Sequence, residues 1–193
     1  MPRIAALLIY PVEWGRPVRV KGASVSALGI EGDRRFRITD DQGAVHRGPE
    51  LSQLFFERRG AELAVSAAGC PRLALPSQQA DAWFSKLLGR PAHCVPCHRG
   101  EGAALLATTV ASLARLNQEL AGVVGIERFA PSLVLEGSNP FEEDGWRAVR
   151  VGGARFTVVP AVAPRLPFGV ELRLEGAATV QLRPGQTVEV ERG

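Results

Sequence analysis

Glycine and proline interrupt this 193-residue chain at short intervals along most of its length. The sequence holds 21 Gly and 14 Pro, with no internal repeat and no low-complexity segment. Both residues shorten regular elements, since Gly costs conformational entropy and Pro removes a backbone donor. The hydrophobic fraction of 46% is ample for a packed core. We therefore predict a mainly β (α+β) fold, with short strands in a closed or nearly closed barrel and about two to three helices.

Strands are predicted at both ends of the chain. In the first half they cover residues 3–12, 17–28, 33–47, 61–69 and 72–76, and Asp41-Gln42-Gly43 supplies a hairpin turn. Residues 49–60 fit neither a helix nor a strand clearly. In the last third the predicted strands cover residues 132–137, 148–159, 169–176 and 178–190, with a turn at Pro184-Gly185.

Two helices are predicted in the middle of the chain. The first begins at Ser77, ends at Gly89 and carries on one face Trp83, Phe84, Leu87 and Leu88. The second begins at Thr108 or Thr109, with helical spacing of Val110, Leu113, Leu116 and Leu120. The segment between the helices predicts a boundary, which divides the chain into a β domain over residues 1–98 and a barrel domain over residues 99–193.

Charge and hydropathy narrow the classes of partner. The net charge is +3, and of the 23 basic residues only Lys21 and Lys86 are lysine. The arginines form no run and do not alternate with aromatic residues, so no nucleic-acid partner is predicted. No apolar run approaches the roughly 20 residues that span a membrane, so no membrane partner is predicted either. The N-terminus resembles a first strand rather than a signal peptide, which predicts a cytoplasmic protein with reduced cysteines.

The segment HCVPCH, residues 93–98, is the most conspicuous local motif. Its Cys94-x-x-Cys97-His98 spacing suits redox pairs, zinc sites and haem c attachment. A zinc site would combine two Cys with two His, but a strand points the adjacent His93 and Cys94 to opposite faces. Haem c attachment would require export, and the N-terminus is predicted to be a strand rather than a signal peptide. Structural thiols are the favoured interpretation, with redox or metal chemistry as the alternative.

Other charged residues are candidates for weaker roles. The run Glu142-Glu143-Asp144 is interpreted as an acidic loop that Trp146 anchors, because successive residues cannot all face one site. Arginines near predicted turns are possible anion ligands, since the guanidinium fork suits phosphate: Arg34, Arg35, Arg37, Arg47 and Arg128.

Six segments in a fixed order resemble the MOSC family, named for the C-terminal domain of molybdenum cofactor sulfurase. They are IYPVEW (9–14), GIEGDRRFRITDDQGAVHR (29–47), TTVASLARLN (108–117), ERFAPSLVLEG (127–137), PFEEDGWRAVRVGGARFTVV (140–159) and PFGV followed by QLRPGQTVEV (167–190). The architecture is most similar to members with an N-terminal β domain, such as the amidoxime-reducing component. The resemblance implies a mainly β barrel fold, a molybdenum–pterin cofactor or bound sulfur, and an electron-transfer or sulfur-transfer partner protein.

The same resemblance places four residues at cofactor-binding positions, namely Arg34, Arg47, Arg128 and Ser132. Four departures stand beside them. Glu13 and Trp14 occupy the places of a Lys and a Ser, and Ala130 that of an Arg. Ser132 itself replaces an Asn. Pro164 or a neighbour occupies the place of the Cys whose thiolate ligates molybdenum, and Pro has no donor atom.

These departures predict a divergent, shortened MOSC protein without the thiolate ligand, with no catalytic residue, metal or cofactor expected. The leading hypothesis is a non-redox binding module with a residual site for a small anionic ligand near Arg34 and Arg47. One alternative is a molybdenum-cofactor oxidoreductase that reduces N-hydroxylated compounds. A second alternative is a thiol redox or sulfur-carrier protein that uses Cys94 and Cys97.

Overall fold

The computed structural model describes residues 1–59, 62–67, 70–97, 100, 103–120, 122–160 and 168–193. Two compact units divide the chain, and the chain passes between them more than once. The larger unit comprises residues 1–8, 19–31 and 100–193, and the smaller unit comprises residues 9–18 and 32–99. The fold is mainly β with two α-helices among the described residues, which confirms the predicted fold class.

The strands of the larger unit form an eight-stranded and a three-stranded sheet. Their bounds are β1 Arg3–Ile9, β2 Val18–Val20, β3 Ala23–Ser26, β4 Gly29–Ile30, β10 Leu105–Thr109, β11 Leu133–Glu136, β12 Trp146–Val151, β13 Ala154–Val158, β14 Val170–Leu174, β15 Val180–Leu182 and β16 Glu189–Arg192. The order is β16-β12-β13-β14-β10-β11-β1-β2 in the first sheet and β15-β3-β4 in the second. Strands β10 and β11 run parallel.

The hairpin between β12 and β13 shows how local sequence fixes this unit. Gly152 and Gly153 lie at its turn with φ of 57° and 85°. A two-residue hairpin turn needs left-handed backbone at both central residues, which glycine adopts without penalty. Phe156 at the middle of β13 is buried, at only 2% exposed, between residues of intermediate burial.

The smaller unit has two sheets and one helix. Its elements are β5 Phe36–Thr39, β6 Phe55–Arg59, β7 Glu62–Ala67, β8 Cys70–Leu75, helix α1 Gln78–Leu88 and β9 His93–Pro96. Strand β5 pairs with β9, and β6-β7-β8 form the second sheet. Its apolar core includes Val12, Ile38, Leu54 and Phe84. The segment 49–60, in which the sequence favours neither helix nor strand, contains a 3-10 helix, Pro49–Gln53, followed by β6, Phe55–Arg59.

Helix α1 begins and ends where the sequence predicts. The Ser77 side chain accepts a hydrogen bond from the Ala80 N–H, and Gly89 ends the helix with φ of 65°. The predicted apolar face is correct for Phe84, which is fully buried, but wrong for Leu87, which is 40% exposed. The reason is that α1 packs on β8 and β9 through a narrower stripe, whose buried residues are Ala80 and Phe84.

Helix α2, Val110–Glu119, packs differently from the prediction. Thr109 caps it, as one of the two predicted caps, by accepting from the Ser112 N–H. Val110 and Leu120 were expected on the buried face, yet they are 47% and 57% exposed. The buried residue is Ser112, because hydrogen bonds rather than apolar contacts hold the first turn of this helix. Among the described residues, no helix has the length and apolar character to cross a membrane.

Candidate functional site

A tight turn follows β1 in the smaller unit and presents Trp14. The Gly15 N–H donates to the Val12 carbonyl at 2.9 Å, which closes the turn. Trp14 adopts a left-handed φ of 66°, a conformation that favours glycine and strains a bulky side chain. Its side chain is 43% exposed. The sequence thus holds a large aromatic ring at the surface in a backbone conformation that costs energy.

Arg47 lies against this ring. Its guanidinium carbon is 5.3 Å from the centre of the Trp14 ring, a cation–π distance. The Arg47 residue is exposed. Within the described part of the chain it forms no ion pair with a carboxylate. Two of the residues that the sequence singles out are therefore brought together, and the positive charge of Arg47 stays available.

Arg34 has a different environment. Its guanidinium forms an ion pair with the buried carboxylate of Asp33 and lies 5.2 Å from the centre of the Tyr10 ring. The other Asp33 oxygen accepts the Tyr10 N–H at 2.8 Å, and the Arg34 N–H donates to the Tyr10 carbonyl at 2.7 Å. Asp33 therefore compensates the charge of Arg34. These contacts hold Arg34 and Asp33 against Tyr10 at the end of β1, so Arg34 has a structural role there.

Glu13 lies close to Arg37, one of the arginines that the sequence offers as a possible anion ligand. Its Oε2 lies 3.5 Å from Arg37 Nε, so the carboxylate is offset by a cation of its own unit. Arg37 also donates from Nη2 to the Cys97 sulfur. That hydrogen bond is the main reason that the pKa of Arg37 is raised above its ordinary value. The negative charge of Glu13 would repel a bound anion nearby, and Arg37 reduces that repulsion because it compensates the charge.

The two cysteines of the HCVPCH motif lie in unlike surroundings. Cys94 is 4% exposed, and burial raises the pKa of its thiol to about 12, with a smaller contribution from Asp81. The Cys94 N–H donates to Asp81 Oδ1 at 2.8 Å. Cys97 is half-buried beside Arg37. A thiol such as Cys94 is a poor nucleophile and a poor ligand at neutral pH, because the thiolate is the reactive form.

His93 points away from Cys94, as the strand geometry predicts. Its Nε2 lies 2.8 Å from Asp41 Oδ1, and its Nδ1 lies 3.5 Å from Asp81 Oδ2. The hydrogen bond to Asp41, followed by that to Asp81, raises the pKa of His93. Among the described residues no three His, Cys, Asp or Glu side chains are grouped to hold a metal. His98 lies outside the described residues.

The larger unit carries the remaining predicted positions. Arg128 and Phe129 end a 3-10 helix, Ile126–Phe129, and Arg128 is exposed. Ala130 follows with a left-handed φ of 51°, and its methyl group has no donor to offer. Ser132 is fully buried between backbone hydrogen bonds to Leu106 and Leu8. The segment around Pro164, residues 161–167, lies outside the described residues.

A buried carboxyl in the larger unit was missed by sequence reasoning. Glu143 was interpreted as part of a solvated acidic loop, but it is 1% exposed. It accepts a hydrogen bond from Ser112 Oγ at 2.8 Å, and its Oε2 lies 3.3 Å from Thr109 Oγ1. The acidic-loop interpretation is therefore wrong for this residue. Its neighbour Asp144 is exposed, as the interpretation requires.

Two models of known protein families match this chain. A model of the MOSC N-terminal β barrel domain matches residues 1–88, and a model of the MOSC domain matches residues 95–190. The chain belongs to the MOSC family. These two matches confirm the resemblance inferred from the ordered segments.

This MOSC protein is similar to one curated protein over part of its length and to one solved structure in its fold. It is 30% identical over 112 residues to molybdenum cofactor sulfurase from Oryza sativa subsp. japonica, a match that covers 40% of the chain and 14% of that protein. The crystal structure of the YuaD protein from Bacillus subtilis shares its fold, with a TM-score of 0.55 and 10% identity. That likeness covers 100% of this chain and 97% of the other.

Proposed function

We propose that this MOSC protein is a non-redox binding module that holds a small anion at Arg47. The observation that carries the proposal is the placement of Arg47 over the exposed Trp14 ring with no carboxylate partner in the described part of the chain. Arg34, the other arginine expected at the site, is already paired with Asp33. Of these two arginines, Arg47 is therefore the one whose charge is available to an anion from solvent.

The residues of this chain fit the family's molybdenum cofactor poorly, which supports a non-redox role. Glu13 and Ala130 replace a cation each, and Ala130 retains no donor beyond its backbone. By sequence, Pro164 supplies no soft donor where the family has a thiolate. Cys94 does not compensate, because its buried thiol stays protonated at neutral pH.

The anion site is tested by titrating the protein with inorganic phosphate in a calorimeter at low ionic strength, where surface charge is screened least. We expect weak binding that Arg47→Ala reduces about tenfold, because a charge-assisted hydrogen bond contributes roughly 1.5–3 kcal/mol. Arg183→Ala is the matched control, since it removes an exposed arginine from the larger unit. Equal affinities in the two variants, or no phosphate binding by the unaltered protein, would refute the proposal.

The thiol alternative retains one specific observation in its favour. Arg37 donates to the sulfur of the half-buried Cys97, which places a cation beside this thiol. Cys94 is a poor second thiol for such chemistry, since burial raises its pKa to about 12. If this alternative holds, Cys97 acts as a single thiol rather than as half of a Cys-x-x-Cys redox pair.

A further inference from the structure

Four residues lie in or beside the turn at residues 14–16 of the smaller unit and are here called the aromatic–arginine patch: Trp14, Arg16, Arg47 and Phe55. The turn at residues 14–16 lies on the start of β6. The Arg16 guanidinium carbon is 4.4 Å from the centre of the Phe55 ring. Gly15 packs so closely on Phe56 that an added Cβ would come within 2.7 Å of a ring carbon. The turn that carries Trp14 and Arg16 therefore packs directly on Phe56 of β6 through Gly15.

Both rings of the patch face solvent. Trp14 is 43% exposed and Phe55 is 52% exposed, while Phe56, the next residue of β6, is 8% exposed. Strand alternation thus turns Phe56 into the core and Phe55 outward. Because both rings are exposed, packing in the apolar core does not explain why Trp14 and Phe55 are aromatic. Within the described part of the chain, neither Arg16 nor Arg47 has a carboxylate partner.

The backbone of Trp14 adds an independent indication. Its φ of 66° is one that glycine adopts without penalty and a bulky residue does not. Such strain persists where the surroundings fix it, and it is concentrated at functional positions. The strained residue is here the one whose ring carries Arg47.

We propose that the aromatic–arginine patch binds a planar aromatic ring that carries a phosphate, with a nucleoside monophosphate as the chemical class. This inference rests on the proposed anion site at Arg47. A bare anion needs the guanidinium alone and gains nothing from two exposed rings. A planar ring that takes the place of the Arg47 guanidinium on Trp14 leaves that guanidinium beside it, within reach of a phosphate on the same ligand. The patch has two cations, which suits one phosphate group better than a polyanionic strand.

The test compares four probes on the unaltered protein: inorganic phosphate, adenosine, adenosine monophosphate and a single-stranded oligonucleotide. We expect the monophosphate to bind about tenfold more tightly than phosphate, because stacking of a base on an aromatic side chain has that effect on affinity. The ligand should shift the indole N–H resonance of Trp14. Trp146 supplies the internal control, since it is 4% exposed and lies in the larger unit.

Two variants separate the parts of the proposal. Trp14→Gly removes the ring and relieves the left-handed strain, and a thermal melt checks that the variant is folded. It should lose the tenfold advantage of the monophosphate and bind it like phosphate. Arg47→Ala should weaken both phosphate-bearing probes.

The outcomes distinguish this inference from the proposed function. Phosphate binding without any advantage for the monophosphate overturns the inference and leaves the anion site standing. If neither inorganic phosphate nor adenosine monophosphate binds, both this inference and the proposed anion site are overturned. Binding of adenosine as tight as that of the monophosphate, or far tighter binding of a single-stranded oligonucleotide, also overturns the assignment to a nucleoside monophosphate.

Discussion

At the scale of single residues, the two thiols of the Cys94-x-x-Cys97 segment should react differently. Burial raises the pKa of Cys94 to about 12, so at pH 8 roughly one Cys94 thiol in ten thousand is ionised. Cys97 is half-buried and accepts a hydrogen bond from Arg37. We expect iodoacetamide at pH 8 to label Cys97 and to leave Cys94 unmodified in the folded protein. Peptide mass spectrometry measures both sites.

Unfolding supplies the control for that labelling experiment, because both cysteines should react in concentrated denaturant. Labelling of Cys94 in the folded protein at the rate seen in denaturant would contradict its assignment as a buried structural thiol. Labelling that rises only above about pH 10 would instead agree with the raised pKa.

Single residues also show what sequence alone predicts and what it does not. Strand periodicity places His93 and Cys94 on opposite faces, and the structure confirms it through the Asp41 contact and the buried thiol. No local pattern reveals the environment of Glu143. Its partners Ser112 and Thr109 are 31 and 34 residues away in the chain, and only the folded chain brings them together.

At the scale of elements, Glu143 joins the 3-10 helix Glu142–Gly145 to the first turn of α2. Glu143→Ala should lower the free energy of unfolding by about 2–4 kcal/mol, because it leaves buried hydroxyls without an acceptor and opens a cavity. Glu143→Gln should cost less, since it keeps an acceptor for Ser112. Asp144→Asn, at an exposed neighbour, is the control and should change stability little. Urea unfolding measures all three.

A Glu143→Ala variant as stable as Asp144→Asn would show that the hydrogen bonds to Ser112 and Thr109 contribute nothing net to the free energy of unfolding.

The same region explains why the buried face of α2 was predicted wrongly. Helical spacing identifies Val110 and Leu120 as apolar but not which side of the helix the chain covers. The side is set by Ser112, whose hydroxyl also accepts the Phe141 N–H at 2.7 Å. The ends of α1 are predictable because Ser77 and Gly89 act locally.

At the scale of the whole molecule, strand pairing determines which parts of the chain form each compact unit. Residues 1–8 and 19–31 belong with residues 100–193, because β1 pairs with β11 and β3 pairs with β15. The register joins Leu7 to Leu133 and Val25 to Val180. Composition along the chain indicates a linker between the two helices, but it carries no information on pairing between distant strands. The boundary after residue 98 stays a prediction about the linear sequence.

The last prediction concerns the metal content of the whole protein. Protein purified from its own host should contain molybdenum well below one atom per chain and lack the visible absorbance of a bound cofactor. The resemblance to the family implies two changes in charge and one in donor that act in the same direction: Glu13 and Ala130 at places of cations, and Pro164 or a neighbour at the place of a thiolate. Glu13→Lys should bind phosphate more tightly than the unaltered protein, because it exchanges an anion of the smaller unit for a cation. Adding Ala130→Arg and Pro164→Cys then tests by metal analysis whether the residues expected in the family recruit molybdenum. Near one molybdenum atom per chain in the unaltered protein would mean that a ligand from elsewhere in the chain replaces the thiolate, and the non-redox proposal would then fail.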